Sequence, residues 1–158
     1  MPNIHLSRKD IETLIPHREP MLLLDEAEIE GPAKITGDCR IRGDEFFLRG
    51  HYPGNPIVPG NLLCEMLAQL GAVLIHYNMT QPALPFGELR KNRTPLLAGL
   101  DSVRFKTPVR PGDYLHLQII LTKDAGLIVN AEGTVSVYTE KGGQSKAALT
   151  AELLLAFI

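Results

Sequence analysis

Tryptophan is absent from this 158-residue sequence, and cysteine occurs only at Cys39 and Cys64. Two isolated cysteines do not make a disulfide framework, so a hydrophobic core must hold the fold, and a hydrophobic content of 44% is sufficient for one. The segment from Met1 to His5 also lacks the basic and then apolar pattern of a secretory signal. These features predict a single domain over residues 1–158 in a reducing cytoplasm.

An excess of charge of one sign is lacking as well, because 16 basic residues face 18 acidic ones and the formal net charge is -2. This balance predicts no general attraction to nucleic acid or to an anionic membrane. The longest nearly apolar run, residues 62–75, is interrupted by Glu65 and Gln69 and is short for a membrane crossing. We therefore expect neither nucleic-acid binding nor membrane insertion.

Three patterns predict the secondary structure. Ser7, followed three residues later by Asp10, is typical of the start of a short helix. Residues 60–77 have apolar side chains all around a helix, which predicts an interior helix. Residues 115–157 alternate as in half-buried antiparallel strands. Turn signals between these strands stand at Pro111-Gly112-Asp113, Asp124-Ala125-Gly126 and Lys141-Gly142-Gly143.

Two other segments predict connections. Gly31-Pro32 favours a hairpin between strand-like stretches within residues 21–42. Residues 78–93 are rich in proline, glycine and polar side chains and predict a long loop. Together the elements indicate an α+β fold in which a strongly curved antiparallel sheet wraps around one central helix.

His51 stands in a segment, residues 49–60, that contains three prolines and three glycines. Proline restricts the backbone and glycine lets it approach a ligand, so this composition predicts a rigid, irregular path leading into the central helix. Histidine can act as a base near neutral pH. The alternative interpretation is a rigid structural turn without chemistry.

Glu65 is the second candidate for chemistry. Between residues 60 and 75 the strongly polar side chains are Asn61, Glu65 and Gln69, spaced by four along one helical face. A thin solvated edge is one interpretation. The other is a buried carboxyl, whose pKa burial would raise so that it stays protonated, with Gln69 orienting it. Gly60, at the predicted helix N-terminus, would let a carbonyl oxygen approach free N–H groups.

These residues carry a family resemblance. Residues 50–60 read G-H-Y-P-G-N-P-I-V-P-G and residues 65–69 read E-M-L-A-Q, and both resemble the FabZ-type 3-hydroxyacyl-acyl-carrier-protein dehydratase family. The similarity extends through residues 14–25 and 98–113, so it covers most of the chain. The resemblance implies a hot-dog fold, assembled as a homodimer and often as a trimer of dimers.

The resemblance also implies a site. His51 of one subunit would meet Glu65 of the partner subunit beside an acyl tunnel, with substrate contacts from Val58-Pro59-Gly60 and Gln69. His51 would remove the α-proton of a (3R)-3-hydroxyacyl thioester, and Glu65 would help to expel the hydroxyl, giving a trans-2-enoyl thioester. The substrate would arrive on the phosphopantetheine arm of acyl carrier protein. No metal or redox cofactor is implied.

Three other functions remain open at this point. Glu65 alone satisfies a hot-dog thioesterase, which needs a carboxylate to activate water. A bifunctional dehydratase and isomerase is a closer alternative, although that similar family usually has aspartate at the position of Glu65. A noncatalytic acyl-binding subunit is favoured by Asn55, where the family often has histidine, and by Asn61, where an aliphatic residue is usual.

Carrier proteins are acidic, so basic residues are candidates for docking them. Arg90, Lys91 and Arg93 in the predicted loop form one candidate patch, and the alternative is a solvated loop. Further cations that would extend the patch are Arg104, Lys106 and Arg110.

The remaining candidates receive no catalytic role. His17, between Pro16 and Arg18, is expected to be structural, and Cys64 is expected to be a small core residue. His5 is expected to belong to a flexible start.

Overall fold

The computed structural model describes residues 2–140 and 143–158. The elements, in chain order, are β1 (Ile4–Ser7), α1 (Arg8–Leu14), β2 (Glu26–Ile29), β3 (Lys34–Arg40), α2 (Gly60–Met79), α3 (Gly87–Arg90), β4 (Pro95–Phe105), β5 (Tyr114–Asp124), β6 (Ile128–Tyr138) and β7 (Lys146–Phe157). Within the described residues, the seven strands form one antiparallel sheet in the order β1-β2-β3-β5-β6-β7-β4. One long helix packed on an antiparallel sheet confirms the predicted α+β hot-dog fold.

The central helix α2 is buried nearly all around, as its apolar pattern predicts. Every residue from Met66 to Ile75 is buried, including Gln69. The helix has the length and apolar character of a membrane span, but 67% of its most apolar window is buried inside the fold. It ends at Met79, two residues beyond the predicted limit.

The sheet approaches α2 closely where it lacks side chains. A Cβ atom on Gly37 of β3 would lie 2.9 Å from the Leu70 side chain, and one on Gly133 of β6 would lie 2.8 Å from the Leu67 side chain. These two leucines are completely buried, and burial of one such side chain contributes roughly 1.5–3 kcal/mol. The close approach positions the helix, and with it the polar side chains of Asn61, Glu65 and Gln69.

The predictions for the smaller elements have mixed outcomes. Ser7 caps α1, and its hydroxyl and the Asp10 carboxylate form the reciprocal capping contacts that the spacing predicts. The hairpin at residues 31–32 joins β2 to β3. His5 does not lie in a flexible start, because β1 pairs with β2 through His5 and Glu28. Lys141 and Gly142, in the last predicted turn, lie outside the described residues.

Candidate active site

His51 is held in one orientation by the irregular segment between β3 and α2. Its Nδ1 atom lies 2.7 Å from the carbonyl oxygen of Ile57, and the Ile57 N–H donates in turn to the His51 carbonyl over 2.8 Å. A carbonyl oxygen only accepts, so Nδ1 carries a proton and donates it. In the neutral ring Nε2 is then free to accept a proton, which is the form that a general base requires.

The cavity beside His51 contains the N-terminus of α2. It has a volume of about 800 Å³, and Gly60, Asn61 and Phe105 are among its lining residues. The first N–H groups of a helix have no partner within the helix, and Pro59 provides no side-chain cap. A Cβ atom on Gly60 would lie 2.5 Å from the Phe105 ring, so glycine is what lets the ring cover this turn. The cavity therefore pairs a candidate base with uncommitted N–H groups.

Val58, Pro59 and Gly60, which are predicted to contact the substrate, are not equivalent in the structure. The Val58 N–H is already committed, because it donates to the Val109 carbonyl oxygen over 2.9 Å. Pro59 has no N–H. Gly60 is therefore the member of the predicted trio whose N–H can bind a thioester carbonyl.

Gln69 is buried and makes the predicted contact with Glu65. Its Nε2 donates to Glu65 Oε1 over 2.9 Å and to the Met21 carbonyl over 2.7 Å. Its Oε1 accepts from the Leu23 N–H over 3.0 Å. With both ends of the amide engaged, Gln69 ties Glu65 to the connection between α1 and β2 and limits its rotation.

The pKa of Glu65 departs from its ordinary value in the direction opposite to the one expected. Burial does raise the pKa of the carboxyl, but hydrogen bonds from His17 and Gln69 and the positive charge of His17 outweigh burial, so the pKa lies below its ordinary value. His17 Nε2 is 3.4 Å from Glu65 Oε1. Sequence reasoning gave His17 a structural role only, because nothing in the local sequence connects it with the distant Glu65.

His51 and Glu65 line different cavities of the single chain. The cavity at Glu65 is small, about 30 Å³, and includes His17, Ala68 and Gln69 in its lining. The 800 Å³ cavity includes His51 and Cys64 but not Glu65. Consecutive helical residues point about 100° apart, which separates Cys64 and Glu65 around α2. One chain therefore presents His51 and Glu65 to two separate cavities.

Comparison with known proteins decides between families. Residues 15–141 match the family model described as a FabA-like domain. The 3-hydroxyacyl-acyl-carrier-protein dehydratase FabZ of Caldicellulosiruptor saccharolyticus is 42% identical over 128 residues, which cover 80% of this chain and 85% of the relative. The chain belongs to the FabZ-type dehydratase family. The FabZ of Clostridium beijerinckii is 40% identical over 96% of this chain and 98% of its own length.

A solved structure supports the fold of this FabZ-type chain independently. The dehydratase heterocomplex ApeI:P from Xenorhabdus doucetiae superimposes with a TM-score of 0.71, covering 94% of this chain and 90% of the other, at 21% identity. At that identity the similarity shows the fold alone. The dehydratase family rests on the closer sequence relatives.

Arg90 does not belong to a docking patch, contrary to the sequence-based expectation. Only 1% of it is exposed. Its guanidinium forms an ion pair with Asp124 and donates from Nε to the Gly126 carbonyl over 2.7 Å. The rings of Phe86 and Phe157 each lie 5.3 Å from the guanidinium carbon. Arg90 fastens α3 to the β5–β6 turn, whereas Lys91 and Arg93 are exposed.

Replacing Arg90 by methionine is expected to lower the free energy of unfolding by about 2–4 kcal/mol. Methionine keeps much of the packing, but Asp124 loses its cation and the Gly126 carbonyl loses its donor. Urea unfolding at a fixed protein concentration measures the difference. The matched control is Arg93→Met, on an exposed side chain, which we expect to change stability by less than about 0.5 kcal/mol. Equal stability of the two variants would contradict the structural role of Arg90.

Proposed function

We propose that this chain dehydrates a (3R)-3-hydroxyacyl group carried on acyl carrier protein to the trans-2-enoyl form, in fatty-acid or related lipid biosynthesis. Its place is the cytoplasm, and no metal or redox cofactor takes part. The observation that carries the proposal is His51, whose Nδ1–H is fixed on the Ile57 carbonyl beside the free N-terminus of α2. A base and a carbonyl-binding site that line the same cavity suit removal of a proton next to a thioester.

The reaction begins when the thioester carbonyl accepts a hydrogen bond from the Gly60 N–H. Negative charge that develops on this oxygen is stabilised there, and one such donor contributes about 3 kcal/mol. His51 Nε2 takes the α-proton, and the electron pair of the broken C–H bond forms the new carbon–carbon double bond. The bond to the 3-hydroxyl breaks, and that hydroxyl leaves as water with the proton that His51 has taken, which Glu65 relays to it. Both groups are then in the state in which they began.

A homodimer supplies the acid. His51 and Glu65 line separate cavities of one chain, and the edge strand β4 is long, apolar and paired on one side only. Its large exposed apolar side chains are Leu96, Leu100 and Phe105. Such an edge is a template for pairing with a second copy. We propose that the dimer brings Glu65 of the partner subunit to His51, and that three dimers assemble further.

The acyl carrier protein docks at the rim of the His51 cavity. Lys106 lines this cavity. The Arg110 guanidinium lies nearby, since its Nη1 donates to Asn55 Oδ1 in the His51 segment over 2.8 Å. Lys91 and Arg93 lie near the other end of α2, about 30 Å away within one chain, and are the weaker candidates.

Reversal of the rim charge in Lys106→Glu is expected to raise KM for a carrier-bound substrate roughly threefold to tenfold. KM for a short thioester without a carrier should change little, because only the carrier provides the acidic surface. The matched control is the double variant Lys91→Glu and Arg93→Glu. If the control raises KM for the carrier-bound substrate and Lys106→Glu does not, the docking site is on the loop between α2 and β4.

One assay tests the function against its alternatives. The purified protein is incubated with a 2-enoyl thioester while enoyl absorbance, free thiol and product identity are followed together. Loss of enoyl absorbance with a 3-hydroxyacyl product supports the proposal, because dehydration is reversible. Release of thiol would indicate a thioesterase, and a 3-enoyl product would indicate an isomerase. No change with a competent carrier-bound substrate would indicate a noncatalytic subunit.

A further inference from the structure

The connection between α1 and β2 brings a second histidine to the acid. His17 is partly buried on this connection, with 23% of its side chain exposed, and its Nε2 lies 3.4 Å from Glu65 Oε1. The next residue, Arg18, fastens the same turn, since its guanidinium donates to the carbonyl oxygens of Ile15 and Glu12, each over 2.9 Å. His17 is therefore presented to Glu65 from a fixed piece of backbone.

The other ring nitrogen of His17 has no partner within the described residues, which argues against a purely structural role and for a role at Glu65. Nδ1 is buried and has no hydrogen-bond partner among residues 2–140 and 143–158. A buried histidine with a purely structural role normally has its polar atoms satisfied. The ring of His17 instead leaves one nitrogen unpaired while the other faces a carboxylate.

Both polar neighbours of Glu65 contact the same oxygen. Gln69 Nε2 donates to Oε1 over 2.9 Å, and His17 Nε2 also approaches Oε1. A carboxylate that is held through one oxygen has a defined direction for the other. Oε2 is the oxygen that is left to meet a substrate hydroxyl or a water molecule.

We propose that His17 is a positioning residue for Glu65: with Gln69 it holds Oε1 and directs Oε2 at the reacting hydroxyl. The inference rests on the proposed dehydratase function. The ionised Glu65 carboxylate is the form that activates water in the hydration direction, so the effect of His17 is observable in that reaction.

Among residues 2–140 and 143–158, His17 is the only titratable side chain that lines the small cavity together with Glu65. The other lining residues in the described part of the chain are Ala68, Gln69, Ala72, Pro95, Leu96, Leu97 and Leu155. In the proposed dimer, His51 of the partner subunit also faces Glu65. Removal of His17 leaves that interaction in place, so the two contributions are separable.

The test compares His17→Phe and His17→Gln in the hydration of a 2-enoyl thioester across pH. Phenylalanine keeps a ring but offers no donor, whereas glutamine keeps an N–H donor. His17→Phe should lower kcat roughly tenfold to a hundredfold with little change in KM, because the Glu65 carboxylate loses its alignment. The acidic limb of the pH–rate profile of His17→Phe should move to higher pH. The reason is that the hydrogen bond and the charge that lower the Glu65 pKa are gone. His17→Gln should recover part of the kcat loss.

The matched control is His116→Gln, a histidine that pairs with Asp38 elsewhere on the protein. It should leave kcat and the acidic limb as in the wild type. Titration of the Glu65 carboxyl by carbon-13 NMR, assigned with Glu65→Gln, gives a second readout that requires no turnover. If the Glu65 pKa and the acidic limb are unchanged in both His17 variants, the inference is overturned. An inactive wild type whose Glu65 pKa still rises in His17→Phe would instead overturn the proposed function.

Discussion

Replacement of His51 by alanine is expected to reduce kcat for 2-enoyl thioester hydration, and for the reverse dehydration, by a factor of about a thousand or more. The proposed base is lost completely, and general base catalysis contributes roughly 10² to 10⁴ in rate. The proposed role agrees with the structure, because Nδ1 of His51 donates to the Ile57 carbonyl and leaves Nε2 free. Steady-state kinetics on both reactions would measure the change.

The control for this substitution is His116→Ala, which removes a half-exposed histidine from its pair with Asp38. It should retain wild-type kcat. Circular dichroism and urea unfolding would verify that His51→Ala is folded, since the Ile57 carbonyl lies in an irregular segment and can be solvated after the imidazole is lost. Activity in folded His51→Ala within tenfold of the wild type would assign the proton transfer to another group.

The fold is largely predictable from the sequence because its elements have clear periodicity. The interior helix α2 follows from apolar residues on all sides, and β6 follows from the alternation of Val129, Ala131 and Val135, all of which are buried. Strand β4 is different, since its exposed and buried residues do not alternate regularly and two register shifts interrupt its pairing with β7. Periodicity does not detect such a strand, so it is identified only by its pairing.

The chemistry of the site is less predictable, because it depends on residues that only the fold brings together. The composition of α2 predicts that Glu65 is buried, and burial alone would raise its pKa. The pKa of Glu65 is instead lowered by His17, which the connection after α1 places beside the carboxylate. Arg90 shows the same effect: its position in a polar loop predicts exposure, whereas Asp124 and two aromatic rings enclose it in the fold.

Co-expression of His51→Ala and Glu65→Gln subunits is expected to restore about a quarter of the wild-type activity, although each variant alone is nearly inactive. In a two-fold dimer with two shared sites, one site of the mixed dimer receives both intact residues and the other receives neither. Random assembly makes about half of the dimers mixed, so about a quarter of all sites are complete. Two different affinity tags allow the mixed dimers to be purified and assayed.

The control is co-expression of two differently tagged His51→Ala subunits, which should give no recovery. The restored activity distinguishes the two possible arrangements of the site, because a site made within one chain lacks either its base or its acid in every dimer of these variants. The separate cavities of His51 and Glu65 favour the shared arrangement. Purified mixed dimers without activity would show that the two residues do not complete each other across the interface, and the acid would then have to come from within the chain that supplies His51.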